Sequence, residues 1–133
     1  MIQTNNIVIL DDQDHAFKQV IYEFPTINKN NLLFRHFNTI KAFREEKLQD
    51  IFLVFLDFFF DEDRAYGISL IPEIECEHLI CFSSMKAMSD SMYKKAIETE
   101  NSQIKYVYSV QKIKERIAND ELREVLNKIF TTH

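Results

Sequence analysis

The sequence predicts an α/β domain built on an open, doubly wound parallel sheet of five strands. Three observations carry that expectation. Short apolar runs end abruptly on polar residues, as strands buried on both faces do. Segments with helical spacing alternate with those runs, so the chain reads as β-α repeated five times. The connections are short and the length is 133 residues, which fits one domain and falls short of the roughly 200 residues an eight-stranded barrel needs.

The first strand is Asn6-Ile7-Val8-Ile9-Leu10, stopped by Asp11-Asp12. Asp14 is placed to cap a helix whose apolar residues Phe17, Val20, Ile21 and Phe24 fall at i, i+3, i+4 and i+7, with Pro25 ending it. Leu32-Leu33-Phe34 opens a second strand reaching about Phe37. Thr39 then caps a short helix with Ile40 and Phe43 inward and Arg44, Glu45, Glu46 and Lys47 outward. Ile51 to Leu56 is the strongest strand and ends on Asp57. A loop, Phe58 to Arg64, leads to a helix expected from Tyr66 or Gly67 to Glu75. Leu79-Ile80-Cys81-Phe82 forms the fourth strand, closed by Ser83-Ser84, and Met85, Met88, Met92 and Ala96 mark the next helix. Ile104 to Val110 is the fifth strand. Leu122, Val125, Leu126 and Ile129 mark a closing helix expected to begin well before them, with Asn119-Asp120 as a break or local cap.

Composition narrows the chemistry. Gly67 is the single glycine, so neither a G-x-G-x-x-G dinucleotide turn nor a G-x-x-x-x-G-K-[ST] phosphate loop exists, nor a Gly-x-Ser-x-Gly nucleophile elbow. Sixteen Lys and Arg stand against 21 Asp and Glu, a formal charge of −5, which argues against broad non-specific binding of nucleic acid. The basic stretch from Lys105 to Arg116 reads as a solvated face of the last helix. No run approaches a membrane span, and the first residues lack the basic region of a signal peptide. Two cysteines, Cys76 and Cys81, give no disulfide framework, so a reducing cytoplasm is expected.

Polar groups of particular kinds end three strands: Asp11-Asp12, Asp57 and Ser83-Ser84. Open α/β sheets bind ligands at the carboxyl ends of their strands, near the switch point. Adjacent first and third strands bring Asp11, Asp12 and Asp57 together, where close carboxylates repel unless a cation neutralises them. A hard divalent ion, Mg²⁺, suits such oxygen ligands, and its open positions would recruit a phosphoryl group. One carboxylate could then act as nucleophile, with the Ser83 hydroxyl within reach. Taken singly, each Asp also reads as a helix cap.

In this order the motifs resemble the receiver domain of two-component response regulators. Ile7 to Asp14 looks like the family's opening strand and acidic pair, Phe52 to Asp57 like its phosphoacceptor strand, and Ile80 to Ser84 like its fourth strand with the switch hydroxyl. The resemblance spans nearly the whole chain. It implies the flavodoxin-like (βα)5 fold, strand order 2-1-3-4-5, and a single receiver-like domain over residues 1–133 without an output domain. It further implies a signalling module rather than an enzyme, with Asp57 as phosphoacceptor, Asp11 and Asp12 joining Asp57 around Mg²⁺, and Ser83 turning towards the phosphoryl group. The implied partners are a sensor histidine kinase or phosphotransfer protein upstream and a protein downstream, with homodimerisation left open and no direct nucleic-acid contact.

Two departures bear on this reading. The family's Met-Pro after the phosphoacceptor is replaced by the longer, acidic Phe58 to Gly67 loop. Its Lys-Pro after the fifth strand is also missing: Lys112 is the nearest candidate for the phosphate contact, whereas matching Tyr106 to the family's switch aromatic leaves Ser109 at the lysine position. A pseudo-receiver that signals without phosphate is therefore a rival. Another is a small phosphohydrolase, since Asp12-x-Asp14 is similar to the first haloacid dehalogenase motif, but Ala16 departs from that motif and the Asp57 cluster precedes Ser83. Phe58, Phe59 and Phe60 are candidate exposed anchors, with two of them expected to pack as core. The Met85, Met88, Met92 stripe reads as core before partner groove. Cys76-x-His78-x-x-Cys81 has a strand-buried cysteine and no fourth ligand, so it reads as core and not metal site. His15 reads as a solvent-facing first-turn residue.

Overall fold

Five strands pair side by side and in parallel: β1 (Asn5–Leu10), β2 (Leu32–Phe37), β3 (Ile51–Asp57), β6 (Glu75–Ser83) and β7 (Gln103–Ile113), in the spatial order β2-β1-β3-β6-β7. This is the expected 2-1-3-4-5 order. The computed structural model describes residues 5–11, 32–57, 59–60, 63–83, 86–99, 103–113, 116–117 and 119–131. The helix expected from Asp14 to Phe24 lies outside them, as do Asp12, His15, Phe58, Ser84 and Met85.

The central strands β1, β3 and β6 are buried on both faces because they are apolar on both. One core layer joins Val8, Leu10, Val54, Leu56, Leu79 and Cys81 to helix α1 (Ile40–Glu46), to a 3-10 helix (Gly67–Glu73) and to helix α2 (Lys86–Thr99). The other joins Ile7, Ile9, Leu53, Phe55, Ile80 and Phe82 to Leu122, Val125, Leu126 and Ile129 of helix α3 (Asn119–Thr131). Among the described residues no helix is long and apolar enough to cross a membrane.

Helix α1 starts where its sequence says. Thr39 has extended backbone and its side chain accepts from Ala42 N, while Ile40 and Phe43 are buried. Phe43 packs edge-on against Phe37 at the end of β2, with ring centroids 5.6 Å apart.

Three expectations are corrected. The α-helix expected up to Glu75 is a 3-10 helix ending at Glu73, with Pro72 inside it; proline has no N–H to continue an α-helical ladder and clashes with the preceding turn. Strand β6 consequently begins at Glu75, four residues earlier than expected. The loop after Asp57 contains a small antiparallel hairpin, β4 (Phe59–Phe60) and β5 (Ala65–Tyr66), whose Phe60 is fully buried. Finally, α3 begins at Asn119, with Asp120 and Glu121 in its first turn. The basic stretch Lys105–Arg116 lies instead on β7 and on β8 (Arg116–Ile117), which folds back antiparallel on Lys112 and Ile113. The β-branched and aromatic residues Ile104, Tyr106, Val107, Tyr108 and Val110 favour a strand.

Candidate functional site

The register brings the polar strand ends together. Leu10 of β1 pairs with Leu56 of β3, so Asp11 and Asp57 are the next residues on adjacent strands, which lie about 4.8 Å apart. Asp57 pairs with Phe82 of β6, and Ser83 is one residue further. All three side chains are buried: Asp11 is 4% exposed, Asp57 7% and Ser83 3%. They converge where the sheet order reverses between β1 and β3, the usual ligand position in an open α/β sheet.

Asp11 is held by its backbone from the neighbouring edge strand. Its N–H donates to the Phe37 carbonyl at 3.2 Å, and its own carbonyl accepts from His36 Nε2 at 2.8 Å. A carbonyl only accepts, so this bond places the His36 proton on Nε2. No periodicity or motif marks His36, and it was not legible as a site neighbour.

Asp57 is packed from below by the following segment. A Cβ on Gly67 would stand 2.1 Å from the Asp57 carbonyl oxygen and 3.0 Å from Leu56 Cδ1. Only glycine lets the backbone come this close. The signal was present in the sequence as the single glycine, ten residues past the carboxylate, but its meaning depends on the tertiary contact.

Tyr93 of α2 is a second residue the sequence did not single out. It is 1% exposed, packed in the layer containing Leu56 and Cys81, and its hydroxyl finds no hydrogen-bond partner of good geometry among the described residues. Burial pushes its phenol well above the ordinary range, and the neighbouring Cys81 thiol and the charge of Asp57 add to this. Tyr93 is therefore a neutral hydroxyl under the site.

The register of the fifth strand sets the levels of the two candidate lysine positions. Gln111 pairs with Ser83 and Lys112 follows it, whereas Ser109 pairs with Cys81, two residues short. Of the two positions, Lys112 lies nearer the level of Ser83, one residue beyond it. Tyr106 sits further down β7, 54% exposed and stacked on His78 at 5.2 Å. His78 also stacks on Tyr108 and shares a 3.1 Å hydrogen bond between Nδ1 and its hydroxyl. Cys76 and Cys81 belong to the opposite core layer, so the Cys-His-Cys set does not converge. Among the described residues no group of three His, Cys, Asp or Glu could hold a metal ion. The expected third carboxylate, Asp12, is outside them. What is described is a pair of buried carboxylates with a hydroxyl beside them, an all-oxygen set that fits a hard divalent cation better than zinc.

No family model and no curated protein matches the chain. Solved structures do. The chain is similar to a response regulator from Colwellia psychrerythraea at 17% identity and a TM-score of 0.67, covering 98% of this chain and 100% of that one. It is similar to a response regulator from Thermotoga maritima at 18% identity and a TM-score of 0.57, over 96% and 98% of the two chains. A response regulator protein from Burkholderia pseudomallei, solved with a phosphorylated aspartic acid, a calcium ion and citrate, matches at 12% identity and a TM-score of 0.55, over 96% of this chain and 68% of that one. At these identities the likeness speaks for architecture, and it agrees with the strand order and the two-sided core: the chain has the fold of a response-regulator receiver domain.

Proposed function

We propose that the protein is a two-component signal receiver, phosphorylated on Asp57 and signalling through protein contacts. The observation that carries this is the register that sets Asp11, Asp57 and Ser83 side by side, buried, at the switch point of a receiver fold. In the reaction an Asp57 carboxylate oxygen attacks the phosphorus of a phosphohistidine or small phosphodonor. The new O–P bond forms as the donor's P–N or P–O bond breaks, and the donor leaves with that bonding pair. Asp11, Asp12 and Asp57 would hold Mg²⁺, which when bound supplies positive charge against the phosphoryl oxygens. The Colwellia and Thermotoga response regulators share the fold, and the Burkholderia protein, solved with a phosphorylated aspartic acid and a calcium ion, supports the reading. Ser83 donates its hydroxyl to a phosphoryl oxygen, and Lys112 supplies the cationic contact. A sensor histidine kinase or phosphotransfer protein is the donor, and a downstream protein reads the result in the cytoplasm.

The test is incubation with acetyl phosphate and Mg²⁺, read by intact mass. Wild type is expected to gain a labile phosphoryl mass, absent in Asp57→Asn and without Mg²⁺. No gain in wild type overturns the reading. One observation favours a second reading: the residue paired with Ser83 is Gln111, so the register sets a neutral side chain, not a lysine, opposite the hydroxyl. Under that reading the module engages its partner without phosphate, and partner affinity is the same for wild type and Asp57→Asn.

A further inference from the structure

The segment after Asp57 is tied down at three points, each to a different part of the molecule. At Gly67 its backbone lies against the Asp57 carbonyl, closer than any side chain allows. At the hairpin tip Asp63 reaches across to α1: one carboxylate oxygen accepts from Ile40 N at 2.9 Å and the other from Lys41 N at 3.2 Å. At the end of the 3-10 helix Glu73 accepts a fork of hydrogen bonds from Arg44 of α1, with Nε at 2.8 and 3.1 Å and Nη2 at 2.6 Å. The Glu73 hydrogen bond raises the pKa of Arg44, and the charges of Glu73 and Asp63 reinforce it.

The first amides of a helix have no acceptor within it. Thr39 satisfies only the amide of Ala42. The two amides before it take theirs from Asp63, 23 and 22 residues further along the chain. Helix α1 is seven residues long, too short to be stable alone, so its first turn depends on where the hairpin sits. The hairpin runs into Gly67 within four residues, and Gly67 touches the carbonyl of the residue whose side chain is the proposed phosphoacceptor. These contacts are contiguous, and each is a direct hydrogen bond or a van der Waals limit.

We infer that Asp63 is a positioning residue for Asp57, and that the first turn of α1 reads the state of Asp57 through the hairpin and Gly67. The inference rests on Asp57 being the phosphoacceptor. A shift of the Asp57 backbone on gaining a phosphoryl group is transmitted at Gly67, whose Cβ direction the Asp57 carbonyl already fills. It passes to Asp63, and from there to the amides of Ile40 and Lys41. Coupling is reciprocal, so releasing Asp63 also alters how firmly Asp57 is held.

Amide hydrogen exchange of the α1 segment in the intact chain tests this, with intact mass recorded on the same samples. Loading wild type with acetyl phosphate and Mg²⁺ is expected to change exchange at Ile40 and Lys41 by at least about threefold. In Asp63→Ala these amides exchange fast and are indifferent to loading, although the phosphoryl mass still appears. Arg44→Ala, which leaves the Asp63 bonds in place, retains the response. Wild type that carries the added mass with unchanged exchange at both amides overturns the inference and leaves the phosphoacceptor reading intact. Absence of added mass overturns that reading instead, and Asp57→Asn then decides the coupling. Its lost charge must shift the same two amides in the Asp63 background and not in Asp63→Ala, and a lack of shift overturns it. A purely structural Asp63 protects α1 equally in every state of Asp57.

Discussion

Gly67 sets the tolerance of the site at the scale of single residues. An alanine methyl there would collide with the Asp57 carbonyl oxygen and with Leu56, and neither has room to yield because both belong to the central strand. Gly67→Ala is therefore expected to destabilise the fold by about 3 kcal/mol, at the upper end of overpacking costs, measured as a lower urea midpoint with unchanged slope. The buried thiols give a second expectation. Burial pushes the Cys76 thiol up to about 12 from an ordinary value near 9, and it raises Cys81 and Tyr93 as well. These groups stay neutral in the fold but ionise once unfolded. The stability they confer is complete below about pH 9 and declines as pH rises towards the folded values. Urea midpoints measured from pH 8 to 11 should fall steadily, with a shallower fall in Cys76→Ala; a flat profile contradicts this.

At the scale of elements, a chain with one glycine must make its tight corners from other residues. Lys47, Asp50 and Arg64 have φ of 49°, 55° and 51°, in the left-handed region, while Gly67 does not. The glycine is spent on space, and the corners are strained. Lys47 closes α1 in this conformation, where a residue with a Cβ costs about 1–2 kcal/mol. Lys47→Gly is expected to stabilise by about 0.5 kcal/mol after the entropy glycine loses on folding, visible as a small rise in thermal midpoint. How far each element was legible follows from which forces shape it. Ile7 to Leu10, Ile51 to Leu56 and Leu79 to Phe82 announce themselves because burial on two faces leaves no other composition possible, and Thr39 announces α1 because its cap is local. The 3-10 helix reads as α-helix in sequence because Leu70 and Ile71 suit either. The β4–β5 hairpin was missed because Phe59 and Tyr66 pair across a turn with no Asn-Gly signal. The far end of β7 reads as helix because the polar pair Gln111-Lys112 interrupts strand alternation.

At the scale of the whole molecule, two core layers sandwich one sheet, and the proposed site sits on the sheet's rim between them. That placement explains why the site was half legible. Asp11, Asp57 and Ser83 could be found from sequence because each ends a run of apolar residues, and the parallel order then brings them together. His36, Asp63 and Tyr93 could not, since they come from an edge strand, a hairpin tip and a helix interior whose contacts only the folded chain makes. Asp63 is bonded to α1 across 23 residues, a separation no local pattern encodes.

The central strands being apolar on both faces has a consequence for how the sheet finds its alignment. Alternation of side chains normally tells a strand which neighbour to meet, because a slip by one residue exposes the wrong set. In β1, β3 and β6 that cue is weak, since Ile7 to Leu10, Leu53 to Leu56 and Leu79 to Phe82 are all 3% exposed or less. Sliding β3 one step would cost little in apolar contact. It would, however, draw Asp57 level with Leu10 and into the hydrocarbon interior, where a carboxylate without partners is prohibitively expensive. The acidic residues at the rim thus act as end stops during assembly, and the groups proposed to receive the signal are the same ones that keep the sheet in step.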